Sequence, residues 1–234
     1  AGDRVVGVTD YCNYPPEATR KPKIGGYATP SIERIIGMEP DLVVSAYGVG
    51  KENIDALKSS DITVLSLNPT TLDDVLRDIL LVGVACDEPE NASRLVVSMV
   101  EQIDAVKQRT ANATSTPRVM YTIWEGPYVA GSGTFADDMI AIAGGENIAA
   151  GRKGYYIMAM EDVIAKNPQV IITTGMGNDT TTYSYIMGEK RLASTDARLN
   201  GRVYEIDSDL VDRAGPRVVQ ALSQFSRFIH PELY

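Results

Sequence analysis

Histidine and cysteine are nearly absent from this sequence. Its 234 residues hold one histidine and two cysteines, too few for a four-ligand structural zinc site or a histidine-built metal centre. A Ser-His-Asp triad would have to rest on His230, close to the C-terminus, where a solvated side chain is expected instead. Cys12 and Cys86 leave two readings open. As a disulfide they would close a long loop, worth about 4 kcal/mol in chain-entropy terms and only in an oxidising compartment; otherwise they are two unrelated thiols.

Long apolar runs are missing too. No stretch approaches the roughly eighteen uninterrupted apolar residues of a membrane span. The first residues lack a charged segment followed by an apolar one, so no signal peptide is expected in the sequence. Positive charge is scarce: 22 Lys and Arg stand against 31 Asp and Glu, a net charge of −9. With no basic stripe, nucleic acid is excluded as a partner. Small molecules and other proteins remain.

What is present describes a globular α/β chain. Apolar residues make up 44% and charged residues 23%, enough for one good-sized core or two modest ones. A strand pattern at Val5–Val8 is followed by a helix near Ser31, with Pro30 before it and Ile32, Ile35 and Ile36 on one face. Leu42-Val43-Val44 reads as a strand buried on both faces. A helix over 51–58, a strand over 62–65 and a helix over 72–84, with Thr71 as N-cap, continue the alternation. This βαβα order implies a parallel sheet covered by helices.

From 88 to 113 apolar residues fall at helical spacing with charges between them, a single helix long enough to bridge two lobes. Alternation then resumes, with strands over 118–122, 170–174 and 203–206 and helices over 135–143, 161–166 and 216–229. The organisation expected is therefore an N-terminal α/β lobe over 1–87, a connecting helix over 88–113 and a C-terminal α/β lobe over 114–234.

Six short motifs appear in order: Gly7-Val8-Thr9-Asp10-Tyr11-Cys12-Asn13-Tyr14-Pro15-Pro16; Gly25-Gly26-Tyr27 before a helix; Glu39-Pro40-Asp41-Leu42-Val43-Val44; Ala143-Gly144-Gly145-Glu146-Asn147-Ile148; Asn167-Pro168-Gln169-Val170-Ile171; and Arg213-Ala214-Gly215-Pro216-Arg217. Together they resemble the substrate-binding proteins of ABC importers for cobalamin and ferric siderophores, over essentially the whole chain. The resemblance implies two Rossmann-like lobes with parallel sheets, a rigid connecting helix and a metal chelate held between the lobes. It also implies delivery to an ABC permease and its ATPase, and an extracytoplasmic location reached as a periplasmic protein or a cell-surface lipoprotein. Membrane contact would come only through the permease or an N-terminal anchor outside this sequence. Neither a cofactor nor enzymatic activity is implied. Members usually begin with one more βα unit, so the first lobe is expected to lack a strand and to expose a sheet edge or apolar groove.

Ligands of open α/β sheets bind at the carboxyl ends of the strands. Near such ends lie Tyr11, Tyr14, Tyr27 and Tyr47 in the first half, and Trp124, Tyr128, Tyr155, Tyr156 and Met176 in the second. Aromatic faces with polar tips suit a large, partly planar chelate; the competing reading is packing at the sheet rim. The resemblance gives Tyr27 a ligand contact and points Arg213, four residues after Asp209, toward the ligand. The alternative pairs Arg213 with Asp209 or a helix end. Glu52 and Glu161 match one docking carboxylate per lobe for arginines of the permease, although an acid in a first helical turn also complements the helix dipole.

Multiply anionic siderophores usually need convergent cations, whereas cobalamin carries little net charge. A tyrosine-rich wall on an acidic chain favours a corrinoid, with a ferric siderophore or haem close behind. Lys51, Arg152, Lys153, Lys190 and Arg191 could reverse the preference by entering the site. A Rossmann-type enzyme is disfavoured because Gly48-Val49-Gly50 is followed by Asn53 where a third glycine is needed. A ligand-sensing or scaffold module of the same fold is the other alternative.

Overall fold

A computed structural model describes residues 1–46, 48–175 and 179–234. Contacts divide the chain into two units, Ala1–Asn68 and Pro69–Tyr234.

In the first unit, helix α1 (Ile32–Gly37) starts at Ser31, whose hydroxyl accepts from Arg34 N at 3.3 Å. Strand β1 (Leu42–Ala46), helix α2 (Lys51–Ser59) and strand β2 (Thr63–Leu67) complete a βαβ unit, with β1 and β2 paired in parallel. Ile35, Leu57 and Ile62 form its small core. The expected strand at Val5–Val8 does not form. Its pairing is reduced to one bridge, Val8 to Lys23, because an apolar run becomes a strand only where a neighbour continues the ladder.

The second unit opens with helix α3 (Leu72–Ala85). Thr71 caps it as the sequence predicts, its hydroxyl accepting from Asp74 N while the Asp74 carboxylate returns to Thr71 N, a capping box. Helix α4 (Pro89–Thr110) is 22 residues long, about 33 Å. It packs on α3, and both helices fall within the second unit, whereas the sequence grouped 72–84 with the first lobe and read 88–113 as a connector.

Strand β3 (Arg118–Trp124), strand β4 (Tyr128–Ala130), helix α5 (Phe135–Ile142), strand β5 (Glu146–Asn147), strand β6 (Tyr155–Ile157), helix α6 (Met160–Lys166) and strand β7 (Val170–Gly175) follow. After them come helices α7 (Thr181–Gly188) and α8 (Asp196–Leu199), strand β8 (Val203–Asp207), and helices α9 (Ser208–Val211) and α10 (Val218–Ile229). The sheet order is β6-β4-β3-β7-β8, with β5 beside β3. Strands β3, β5, β7 and β8 run parallel; β4 and β6 are antiparallel additions that the sequence did not predict.

Helices cover both faces. On β3, Val119 and Tyr121 enter the core shared with α3, α4, α5 and α10, while Met120 enters the other core with Val163, Ile186 and Leu192. Residues 170, 171 and 172 of β7 alternate in the same way, the period of two expected of a strand buried on both faces. His230 is also buried rather than solvated. It follows α10, its Nε2 lies 3.1 Å from the carbonyl oxygen of Gly144, and its Nδ1 lies 2.9 Å from Glu232.

Candidate ligand-binding site

The site begins with a bulge. Thr122 pairs with Val129 and Trp124 with Tyr128, so two steps along β3 match one along β4. That extra residue turns Trp124 onto the face opposite Thr122. The Thr122 hydroxyl, 3.1 Å from the carbonyl oxygens of both Trp124 and Tyr128, donates into this turn. Across β4, Tyr128 pairs with Ile157 and Ala130 with Tyr155. Residues directly opposite share a face, as do residues two apart, so Trp124, Tyr128, Tyr155 and Ile157 form one apolar wall.

Trp124 and Ile157 are 67% and 71% exposed, a large apolar area to leave in water. The rings of Tyr128 and Tyr155 stack with centroids 6.0 Å apart. Ile123, Trp124, Glu125, Tyr128 and Ile157 line an open hollow of about 330 Å³. Burial first, then the charge of Asp212 and the neighbouring Tyr128, push the Tyr155 hydroxyl up to about 12. It stays a neutral hydrogen-bonding group at ordinary pH.

Tyr156 does not join the wall. It pairs with Val129 on the opposite face, donates its hydroxyl to the Ala149 carbonyl at 3.0 Å and packs against the second core. Arg152 lies 4.9 Å over its ring.

At the end of β8, Asp207 caps α9 by accepting from Asp209 N at 2.9 Å. Asp209 and Arg213 form an ion pair at 2.6 Å, which realises the pairing reading of Arg213 while leaving its side chain partly exposed. Asp212, one residue before Arg213, was missed in the sequence. Its carboxylate accepts from the fully buried Tyr121 hydroxyl at 3.4 Å. Nothing about an isolated acid after a strand signals that contact.

In the first unit Tyr11, Tyr14 and Tyr27 are 58%, 57% and 42% exposed. The Tyr27 ring lies against Gly48, just past β1, where a Cβ would come within 3.0 Å of it. Tyr47 and Met176 fall outside the described residues. Glu52 and Glu161 are exposed in the first turns of α2 and α6. The two cysteines are free thiols, so the structure contains no Cys12–Cys86 bond. Lys23 reaches Cys12, but its Nζ donates to the Cys12 carbonyl at 3.1 Å rather than to the sulfur. Among the cations considered for the site, Lys51 is paired with Asp55 and Arg191 with Glu189. Among the described residues no cluster of three His, Cys, Asp or Glu side chains could hold a metal ion, and no helix is long and apolar enough to cross a membrane.

This arrangement offers an aromatic binding surface. Residues 1–210 match the family described as periplasmic binding protein. The chain belongs to that family. It is a solute-binding protein and not an enzyme. It is 30% identical over 241 residues to an uncharacterized ABC transporter substrate-binding lipoprotein, YvrC, of Bacillus subtilis, covering 100% of this chain and 75% of that one. It is 28% identical over 227 residues to a vitamin B12-binding protein of Salmonella paratyphi A, covering 96% and 82%. Among solved structures, the periplasmic heme-binding protein RhuT of Roseiflexus sp. RS-1 in apo form matches with a TM-score of 0.88 and 28% identity, covering 100% and 92%. For a periplasmic binding protein, the departure of Tyr156 from the expected set is a matter of strand alternation alone.

Proposed function

We propose that this protein captures a metal chelate for an ABC importer and delivers it to the permease and its ATPase. The observation that carries this reading is the wall of Trp124, Tyr128, Tyr155 and Ile157, an exposed apolar surface at the carboxyl edge of the sheet. Such a surface suits a flat macrocycle better than a sugar or an amino acid. Tyr11, Tyr14, Tyr27, Tyr47 and Met176 would be further contacts of the chelate. Asp209 and Arg213 would contribute a polar edge. Glu52 and Glu161 would dock the permease. The setting is extracytoplasmic, as for a periplasmic protein or surface lipoprotein.

A corrinoid is the favoured ligand, supported by the similarity to a vitamin B12-binding protein and by the local pairing of Lys51 and Arg191. Haem is the second reading, favoured by the similarity to a heme-binding protein, and a ferric siderophore is the third. A ligand-sensing module would bind the same chelate without needing the exposed acids Glu52 and Glu161. Titration with cyanocobalamin, hemin and a panel of ferric siderophores tests the reading, followed by absorbance and by the fluorescence of the single tryptophan. Saturable quenching by at least one chelate is expected; its absence with all of them overturns the proposal.

A further inference from the structure

Gly48-Val49-Gly50 starts like a dinucleotide loop, but Asn53 stands where the third glycine would be. In the first unit this asparagine has a different use. Its Nδ2 donates to the Val49 carbonyl oxygen at 2.5 Å, which ties the loop after β1 to the first turn of α2. That helix is itself anchored, because Leu57 is buried in the small core with Ile35 and Ile62. The loop supports a side chain on each flank. The Tyr27 ring lies against Gly48, where a Cβ would stand 3.0 Å from its Cε1 and 3.2 Å from its hydroxyl oxygen. The Glu52 carboxylate lies against Gly50, where a Cβ would overlap its Oε1. The two glycines have φ of +96° and +82°, values that other residues rarely adopt.

Tyr27 remains 42% exposed and Glu52 is exposed, so each can meet a partner while resting on the loop. A hydrogen bond to one carbonyl therefore fixes the support of both side chains. The helix alone gives little reason for an asparagine here, which is a weak helix former. An acid would suit the positive end of α2 better. A carboxylate, however, has no N–H to give Val49.

We propose that Asn53 is a positioning residue for two contacts at once: by holding the Gly48-Val49-Gly50 loop, it sets where Tyr27 meets the chelate and where Glu52 meets the permease. This inference rests on the proposed chelate-binding and docking function and gives the two contacts of the first unit one shared support. Truncating Tyr27 or Glu52 removes a single contact and leaves the loop in place. Releasing the loop disturbs both.

Asn53→Asp separates loop support from helix stability, because it keeps the side chain's size, favours the helix start and removes the donor. Asn53→Ala, a better helix former, takes its place if the Asp variant folds poorly. Dissociation constants for cyanocobalamin, hemin and the ferric siderophores are measured by quenching of Trp124, the single tryptophan. The proteins are wild type, the Asn53 variant, Tyr27→Ala and the combination of the two. For each chelate that quenches the wild-type protein, the Asn53 variant should bind about three- to tenfold more weakly. With Tyr27 already alanine, the same substitution should add no further loss. At saturating chelate, uptake in permease-containing vesicles should fall about threefold or more in the Asn53 variant relative to wild type. Wild-type affinity in the Asn53 variant, an equal loss with and without Tyr27, or full uptake at saturating chelate overturns this inference alone. Failure of every chelate to quench the wild-type protein overturns the proposed function and this inference with it.

Discussion

His230 Nε2 meets the carbonyl oxygen of Gly144 at 3.1 Å, joining the end of α10 to the turn after α5. Gly144 has φ +79°, and a Cβ there would stand 2.9 Å from His230 Nε2 and 3.3 Å from Thr110 Cβ. Gly144→Ala therefore combines backbone strain with a clash against a buried ring. It should cost about 1–3 kcal/mol, and His230→Ala, which leaves the carbonyl and a cavity, about 2–4 kcal/mol. Denaturant midpoints measure both. A Gly144→Ala midpoint equal to wild type would mean that the turn opens freely and the contact is not formed.

The start of α3 carries an acid-dependent share of stability. Asp74 accepts from Thr70 N at 3.0 Å, Thr71 N at 3.1 Å and Arg77 Nη2 at 2.6 Å. The Thr70 backbone hydrogen bond leads in lowering its carboxyl from 3.8 to about 2. Because the folded value lies below the unfolded one, the contribution is complete above about pH 4 and fades as pH falls toward 2. Asp74→Ala should cost about 1–2 kcal/mol at pH 7. The gap between variant and wild type should narrow in melts run at decreasing pH; a constant gap would remove the carboxylate from the account.

These helix ends were legible because capping is local. Thr71 and Ser31 sit where the apolar period of 3.6 begins, and the structure caps α3 and α1 there. The parallel core was legible for a similar reason: Val170–Gly175 is buried along nearly its whole length, so its composition alone gives it away. What failed depended on partners. Val5–Val8 has strand composition but meets only Lys23 in one bridge. Residues 128–130 and 155–157 are too short to show a period, yet they pair with each other and build the wall. The opposite facing of Tyr155 and Tyr156 follows from alternation once β6 is known to be a strand. Asp212 and His230 draw their character from residues 91 and 86 positions away, a distance no spacing rule spans.

The wall should contribute to binding and little to folding. Trp124 is 67% exposed, so Trp124→Ala should change stability by no more than about 0.5 kcal/mol. Removing its face from a stacked macrocycle should weaken affinity roughly tenfold or more. Tyr128→Ala, which also removes the stacking partner of Tyr155, should do the same at some cost in stability. Absorbance titration reads the Trp124 variant, which has lost the fluorophore. Unchanged affinity in both variants would move the ligand away from this wall.

Glu52 and Glu161 pose the sharpest choice between a structural and a transport role. Both stand in first helical turns, where an acid offsets the positive end of the helix by a few tenths of a kcal/mol. Glu52 also curls back: a Cβ on Gly50 would meet its Oε1, which places the carboxylate over the start of α2. Helix stabilisation alone therefore accounts for each residue singly, and each single alanine variant should melt within about 0.5 kcal/mol of wild type. Docking makes a different demand, because an arginine on a partner needs the charge and not the helix. In the proposed transport role, Glu52→Ala combined with Glu161→Ala should keep the wild-type dissociation constant for the chelate and lose most uptake in cells or permease-containing vesicles. Replacement of both by Asp should restore part of it. Lost ligand affinity would move these residues into the binding surface, and full uptake by the double variant would leave them only their helix-end role.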